Sequence, residues 1–149
     1  EITFVSLHLR CCGGPTSEAE LQRQAEAKAL RNALRKYAAD AAIIGGDWNL
    51  VGTTKPLDTV KRDGFTIVEA FQPDGSLTAT WADAKSLFTP GRLDWMLVRG
   101  DSLNNSGSFV LDTFDLHPDT LIELDLLSQD TKLLSDHLPL VADLRVETK

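Results

Sequence analysis

Long apolar runs are missing from this chain of 149 residues. Runs such as Ala41–Ile44 stop at four residues, far short of the roughly 20 that a membrane-spanning helix needs. Cysteine is scarce as well. Cys11 and Cys12 are the only two, and because they are adjacent they cannot staple distant segments, which excludes a disulfide framework. Positive charge is in deficit, with 15 Lys+Arg against 22 Asp+Glu and a net charge of −7. That balance argues against broad, sequence-independent capture of nucleic acid by a basic surface. It leaves phosphate-bearing ligands open, because a divalent metal inverts the local sign. No Gly-x-Ser-x-Gly elbow supports a serine hydrolase, and no glycine-rich phosphate loop or dinucleotide fingerprint occurs. Methionine occurs once, at Met96, and the chain opens directly in strand pattern, Glu1-Ile2-Thr3-Phe4-Val5. We therefore expect a fragment or processed product of a longer protein.

What is present reads as one globular domain over 1–149. The composition is 42% hydrophobic and 25% charged, and the length falls in the usual range of about 100–200 residues per domain. Residues Ile2–Leu9 alternate, with Ile2, Phe4, Ser6 and His8 on one face and Thr3, Val5, Leu7 and Leu9 on the other. Gly13-Gly14-Pro15 breaks the pattern, and Ser17 with Glu20 forms a capping box that announces a helix to about Ala39. Its apolar stripe is Leu21, Ala25, Leu30, Leu34, Tyr37 and Ala38. Ala41–Gly45, apolar on both faces, suits an interior strand. Strand, helix and buried strand make a βαβ unit, so the two strands should be parallel neighbours or near neighbours. After a loop containing Gly52 and Pro56, candidate strands are Phe65–Phe71, Leu77–Trp81, Leu93–Val98, Ser108–Phe114 and Leu138–Val146, while Leu121–Leu127 reads equally as helix or strand. The class is α/β with a mixed sheet.

Four short polar segments fall at strand ends: Leu7-His8-Leu9, Gly46-Asp47-Trp48-Asn49, Arg92-Leu93-Asp94-Trp95 and Ser135-Asp136-His137-Leu138-Pro139. His8 and Asp47 end two parallel strands and so share a sheet edge. Asp94, Asp136 and His137 open strands that reach the same edge if they run antiparallel to the first pair. Sheet rims of this kind carry ligand sites. Carboxylates and an amide without cysteine suit a hard ion such as Mg²⁺, Mn²⁺ or Ca²⁺. A histidine beside a carboxylate is the usual way to hold an imidazole as a base, and Asp94 is placed to do this for His137.

The ordered set His8-Leu9, Gly46-Asp47-Trp48-Asn49, Arg92-Leu93-Asp94-Trp95 and Ser135-Asp136-His137-Leu138-Pro139 resembles the C-terminal half of the endonuclease/exonuclease/phosphatase superfamily. That superfamily includes pancreatic-type deoxyribonucleases, apurinic endonucleases, neutral sphingomyelinases and inositol-phosphate phosphatases. The resemblance implies half of a four-layer α/β sandwich, with mixed β-sheets flanked by helices. It also implies metal-dependent hydrolysis of phosphodiesters or phosphomonoesters by an activated water, without a covalent intermediate. By the same resemblance His137 is the general base, oriented by Asp94, and His8 assists the leaving group or binds phosphate. Asp47 and Asn49 position phosphate and nucleophile, and Thr80 and Trp81 face the substrate. Mg²⁺, with Mn²⁺ or Ca²⁺ as alternatives, is the implied cofactor, and Asp47, Asn49 and Asp136 are its candidate oxygen ligands.

The family's principal metal-ligating Glu and its partner Asn have no counterpart before His8, and Glu18, Glu20 and Glu26 fall on the expected outer helix. Two expectations follow. The complete protein is a metal-dependent phosphoesterase acting on a nucleic acid, a lipid head group or a small molecule. Alternatively, this chain is an incomplete half-domain that serves as a structural or interaction module, paired with the missing N-terminal half or with a second copy.

Overall fold

A computed structural model describes residues 1–75 and 77–147. Alternation of side chains along Ile2–His8 produces strand β1, with Phe4, Ser6 and His8 exposed and Val5 and Leu7 packed against the core. Helix α1, Glu18–Tyr37, starts where Ser17 caps it, its hydroxyl accepting the Glu20 N–H. The capping box is only half formed. The Glu20 carboxylate turns away to accept from Arg23 Nε at 3.0 Å and from Gln24 Nε2 at 2.7 Å, and the Ser17 N–H bonds the Gly14 carbonyl instead.

The expected apolar stripe of α1 is therefore shifted. Leu21, Ala25 and Tyr37 are exposed, Leu30 and Ala38 are half-buried, and the inner face is Glu20, Arg23, Ala27 and Leu34. Burying Arg23 is possible because its guanidinium is paired with Glu20 and also donates to the carbonyls of Arg10 and Cys12, at 2.9 and 2.7 Å.

Strand β2, Ala41–Asp47, pairs with β1 in parallel, from Ile2 opposite Ala41 to His8 opposite Asp47. Helix α2, Lys55–Lys61, occupies the stretch expected as a loop around Pro56. Proline in the first helical turn removes a donor that would lack an intrahelical partner anyway, and buried Leu57 and Val60 hold the helix to the core. Strand β3 is short, Thr66–Ile67, against the longer run expected over Phe65–Phe71. Strand β4, Asp94–Arg99, runs antiparallel to both β2 and β3, giving a four-stranded mixed sheet in the order β1-β2-β4-β3. Its core includes Ile44, Trp48, Leu57, Val60, Phe65 and Leu97.

Gly46 is required by this arrangement. Its φ of 144° is open to glycine, and a Cβ there would collide with the Leu7 carbonyl oxygen on the neighbouring strand.

Strands β5, Leu103–Val110, and β6, Leu140–Val146, make a second, two-stranded sheet. Strand β5 starts five residues before the expected Ser108, because Asn104, Asn105, Ser106 and Gly107 are weak strand formers and hide it. The chain then makes a 3₁₀ turn, Thr113–Asp115, so Phe114 is not in a strand. Two short helices follow, α3, Pro118–Glu123, and α4, Asp130–Leu134. The ambiguous stretch Leu121–Leu127 thus begins as helix. Residues Leu77–Trp81, expected as a strand, form an open segment whose ladder contact comes at Trp81.

The chain divides into two compact units. Among the described residues, one contains 1–68, 93–104 and 144–147, and the other 69–75, 77–92 and 105–143. In the second unit, Thr113 and Thr131 exchange hydrogen bonds and Thr131 donates to Asp112 at 3.2 Å, tying the 3₁₀ turn to α4. Among the described residues no helix is long and apolar enough to cross a membrane.

Candidate active site

Register decides which polar side chains meet in the first unit. His8 ends β1 opposite Asp47, which ends β2, and Asp47 in turn lies opposite Asp94, the first residue of antiparallel β4. Three polar residues from three different strands therefore share one edge of the four-stranded sheet, as the sequence reading expects. His8 Nε2 stands 3.4 Å from Asp47 Oδ2, with the imidazole largely exposed (73%) and the carboxylate largely covered (14%).

Asp47 is held from below. Its Oδ1 accepts the Asn49 backbone N–H and its Oδ2 the Asn49 side-chain amide, both at 2.8 Å. The first of these bonds is an Asx turn, which asparagine and aspartate form with backbone two residues on. Asn49 sits at φ 49°, a left-handed conformation that asparagine tolerates better than other residues with a Cβ. Its amide also donates to the Leu9 carbonyl at 3.0 Å, joining the end of β2 to the segment after β1. Trp48 anchors the turn. It is fully buried, and its backbone N–H donates to the Leu93 carbonyl at 2.9 Å. Neither Trp48 nor the Leu9 carbonyl stands out as a supporting element in the sequence, although an aromatic inside Gly46-Asp47-Trp48-Asn49 is a signal that the turn is packed.

The second unit holds its own polar group. Trp81 Nε1 donates to Asp136 Oδ2 at 2.9 Å, and Trp81 forms a bridge pair with His137. The Thr80 carbonyl accepts the Leu138 N–H at 2.7 Å, the Asp136 carbonyl accepts the Ala82 N–H at 3.0 Å, and Ser135 Oγ accepts the His137 N–H at 3.0 Å. These bonds fix 135–138 against 80–82, and Thr80 is fully buried there. Nearby in sequence, Arg92 is pushed down from the usual guanidinium range by burial, and Glu69, 3.4 Å away, opposes that shift.

Residues expected to act together thus fall into two groups: His8, Asp47, Asn49 and Asp94 in one unit, and Thr80, Trp81, Asp136 and His137 in the other. The route by which Asp136 and His137 were expected at the edge does not apply. Strand β6, which they precede, pairs with β5 and lies outside the four-stranded sheet.

A divalent cation needs several oxygen donors at once. Among the described residues no three His, Cys, Asp or Glu side chains group as a metal site, and both Asp47 oxygens already accept from Asn49. The described residues do not by themselves supply the full donor set that the implied cation needs. The first group can instead hold an imidazole beside a fixed carboxylate at a solvent-facing edge, an arrangement suited to moving a proton.

A mixed α/β fold with a polar sheet edge of this kind defines a class. The chain belongs to the Endonuclease/Exonuclease/phosphatase family, whose model matches residues 2–137. No curated protein matches it by sequence. Among solved structures, an endonuclease/exonuclease/phosphatase family protein from Bacteroides thetaiotaomicron is 22% identical with a TM-score of 0.64, over 97% of this chain and 50% of its own. A 3′-5′ exonuclease from Neisseria meningitidis is 15% identical with a TM-score of 0.59, over 95% of this chain and 60% of its own. A mannosyl-6-phosphatase from Bacteroides thetaiotaomicron is 22% identical with a TM-score of 0.56, over 95% of this chain and 50% of its own. The chain therefore spans about half the length of the structures it matches.

Proposed function

We propose that this chain is the C-terminal half of a phosphoester hydrolase. The reading is carried by one observation: His8, Asp47 and Asp94, from three motifs far apart in sequence, occupy matched register positions at one sheet edge. Family membership and the likeness to an exonuclease and a sugar phosphatase support the same class. In the proposed reaction His137 takes a proton from the attacking water. Asp47 holds the His8 imidazole, which binds the phosphate or returns a proton to the leaving oxygen. Asn49 fixes Asp47, and Trp81 lines the substrate's approach, while the fully buried Thr80 holds that segment through its backbone rather than meeting the substrate.

Mg²⁺, or Mn²⁺ or Ca²⁺ with the same oxygen chemistry, is the proposed cofactor of the complete protein, and it would neutralise charge on the phosphoryl oxygens. Asp47, Asn49 and Asp136 are the oxygen donors this chain would contribute. With net charge −7, long-range steering of duplex DNA is poor, so we favour a small or lipid phosphoester.

The test is hydrolysis of chromogenic phosphodiesters and phosphomonoesters by the complete protein with each of the three cations. Turnover abolished by chelation is expected, and no turnover on either ester class would overturn the reading. A comparison of kcat/KM on plasmid DNA and on small esters tests the substrate preference, which strong selection for the plasmid would reverse.

The absence of a grouped metal site among the described residues favours a second reading for the chain in isolation, an inactive half-domain that needs the rest of its domain or a second copy. Light scattering on the 149-residue chain tests this, and a well-folded monomer would count against it.

A further inference from the structure

The segment between β1 and α1 carries a feature that phosphoester hydrolysis does not use. Cys12 is a non-glycine residue at φ 68°, followed by Gly13 at φ 71°, so the chain makes two consecutive left-handed steps. Such a conformation persists only where the surroundings over-determine it. Here the cause is the buried Arg23, which donates to the carbonyls of Arg10 and Cys12 and is itself held by Glu20. The clamp fixes the backbone from the inner side and leaves the thiols outward, Cys12 exposed and Cys11 half-buried. The turn at Cys12 brings its Sγ–H onto Cys11 Sγ at 2.8 Å, with Cys12 as donor.

We propose that Cys11 and Cys12 form a redox-modification site, a vicinal dithiol that closes reversibly to a disulfide under a peroxide oxidant. Cys11 receives the hydrogen bond from Cys12, which assigns the attack to Cys11 and the resolving step to Cys12. The Cys12 thiol is pushed up from its usual range, first of all by that same hydrogen bond. Cys11 sulfur attacks one peroxide oxygen, the O–O bond breaks, and a sulfenic acid forms on Cys11 with release of one water. Cys12 sulfur then attacks the Cys11 sulfur, the S–S bond forms, and the sulfenic oxygen leaves as a second water. Two thiols lose two electrons and two protons, and one peroxide is reduced to two waters.

Geometry also makes the bridge reversible. Neighbouring Cα atoms are about 3.8 Å apart across a trans peptide, below the usual disulfide span of about 4.4–6.8 Å. A bridge confined in this way is strained and easily reduced, the behaviour of labile rather than structural disulfides. Nothing in this proposal depends on the catalytic reading.

The test treats the folded 149-residue chain with equimolar hydrogen peroxide and follows intact mass and free thiols. Both thiols should disappear together with a mass loss of two hydrogens, no disulfide-linked dimer should form, and dithiothreitol should restore both thiols. In Cys12→Ser the reaction should stop at a sulfenic acid on Cys11 that dimedone traps. As a second measurement that needs no oxidation, phenylarsine oxide should block both thiols of the unmodified chain at one equivalent and bind Cys11→Ser and Cys12→Ser only weakly. Loss of one thiol alone, a disulfide-linked dimer, or equal arsenical binding by the single variants would each overturn the proposal.

Discussion

Asn49 grips Asp47 twice, its backbone N–H on Oδ1 and its side-chain amide on Oδ2, each at 2.8 Å. A third bond from the same amide to the Leu9 carbonyl means that one buried residue sets the carboxylate's orientation and ties β1 to β2 beyond their last paired residues.

Replacing Asn49 by alanine removes the amide and leaves a residue poorly suited to φ 49°. We expect a stability loss of about 1–3 kcal/mol for the unpaired buried groups. In the complete protein kcat/KM should fall by about 10²-fold or more, the scale seen when one preorganised donor is lost. Asn49→Gly separates the two effects, since it accommodates the left-handed backbone but lacks the side-chain amide. Urea denaturation and steady-state kinetics check both variants, and an Asn49→Gly protein with unchanged kcat/KM would show that the amide's grip on Asp47 is not needed for turnover.

Much of this edge is legible in the sequence, for a physical reason. Alternation in Ile2–His8 and the doubly apolar Ala41–Ile44 specify strands of known depth, and a helix between them leaves little choice but parallel pairing, which puts His8 beside Asp47. What the sequence conceals depends on partners distant along the chain. Glu20 and Arg23 lie outside the apolar stripe expected for α1, and their burial is explained only by the Arg10 and Cys12 carbonyls that receive Arg23. Pro56 reads as a breaker unless it is known to fall in the first turn of α2. Leu138, Leu140 and Leu144 are each half-buried, while the most exposed aliphatic side chains of α3 and α4 include Ile122 and Leu134. The sheet to which β6 belongs is equally unreadable, because its partner β5 begins in Asn104-Asn105-Ser106-Gly107.

Adjacent glycines in β2 should respond oppositely to the same change. A methyl group on Gly46 would meet the Leu7 carbonyl of the paired strand, at a backbone angle alanine avoids, whereas a methyl group on Gly45 would find open space, with nothing within 4 Å. Gly46→Ala should cost about 3 kcal/mol or more. Gly45→Ala should be neutral within about 1 kcal/mol, helped by a less flexible unfolded chain. Thermal denaturation of the pair decides it, and equal melting temperatures would contradict the strand register at Leu7 and Gly46.

His137 carries the proposed water activation. In the complete protein His137→Ala should lower kcat by about 10²–10⁴, the usual contribution of a positioned base. Asp94→Asn keeps the size of the side chain and removes its charge at the sheet edge, so it should lower kcat with the melting temperature little changed, a combination that simple loss of packing would not give. Activity of His137→Ala within about threefold of the unmodified enzyme would remove His137 from the mechanism.

Acid sensitivity should come from the opposite side of the first unit. Asp63, just after α2, accepts from Arg31 at 2.7 Å and from Arg35 at 2.7 and 2.8 Å, joining α1 to the end of α2. Hydrogen bonds from the two guanidinium groups hold its carboxyl down at about 2, against 3.8 for an ordinary aspartate. Because the folded value lies below the unfolded one, the stabilisation is complete above pH about 4 and is lost as pH falls toward 2. Asp63→Asn should therefore destabilise the chain by about 1–3 kcal/mol at neutral pH, the scale of charge-assisted hydrogen bonds. The gap between the two proteins should close progressively between pH 4 and 2. Urea midpoints measured across that interval check the sign, and a gap that stays constant down to the lowest pH would show that the Asp63 charge does not hold the two helices together.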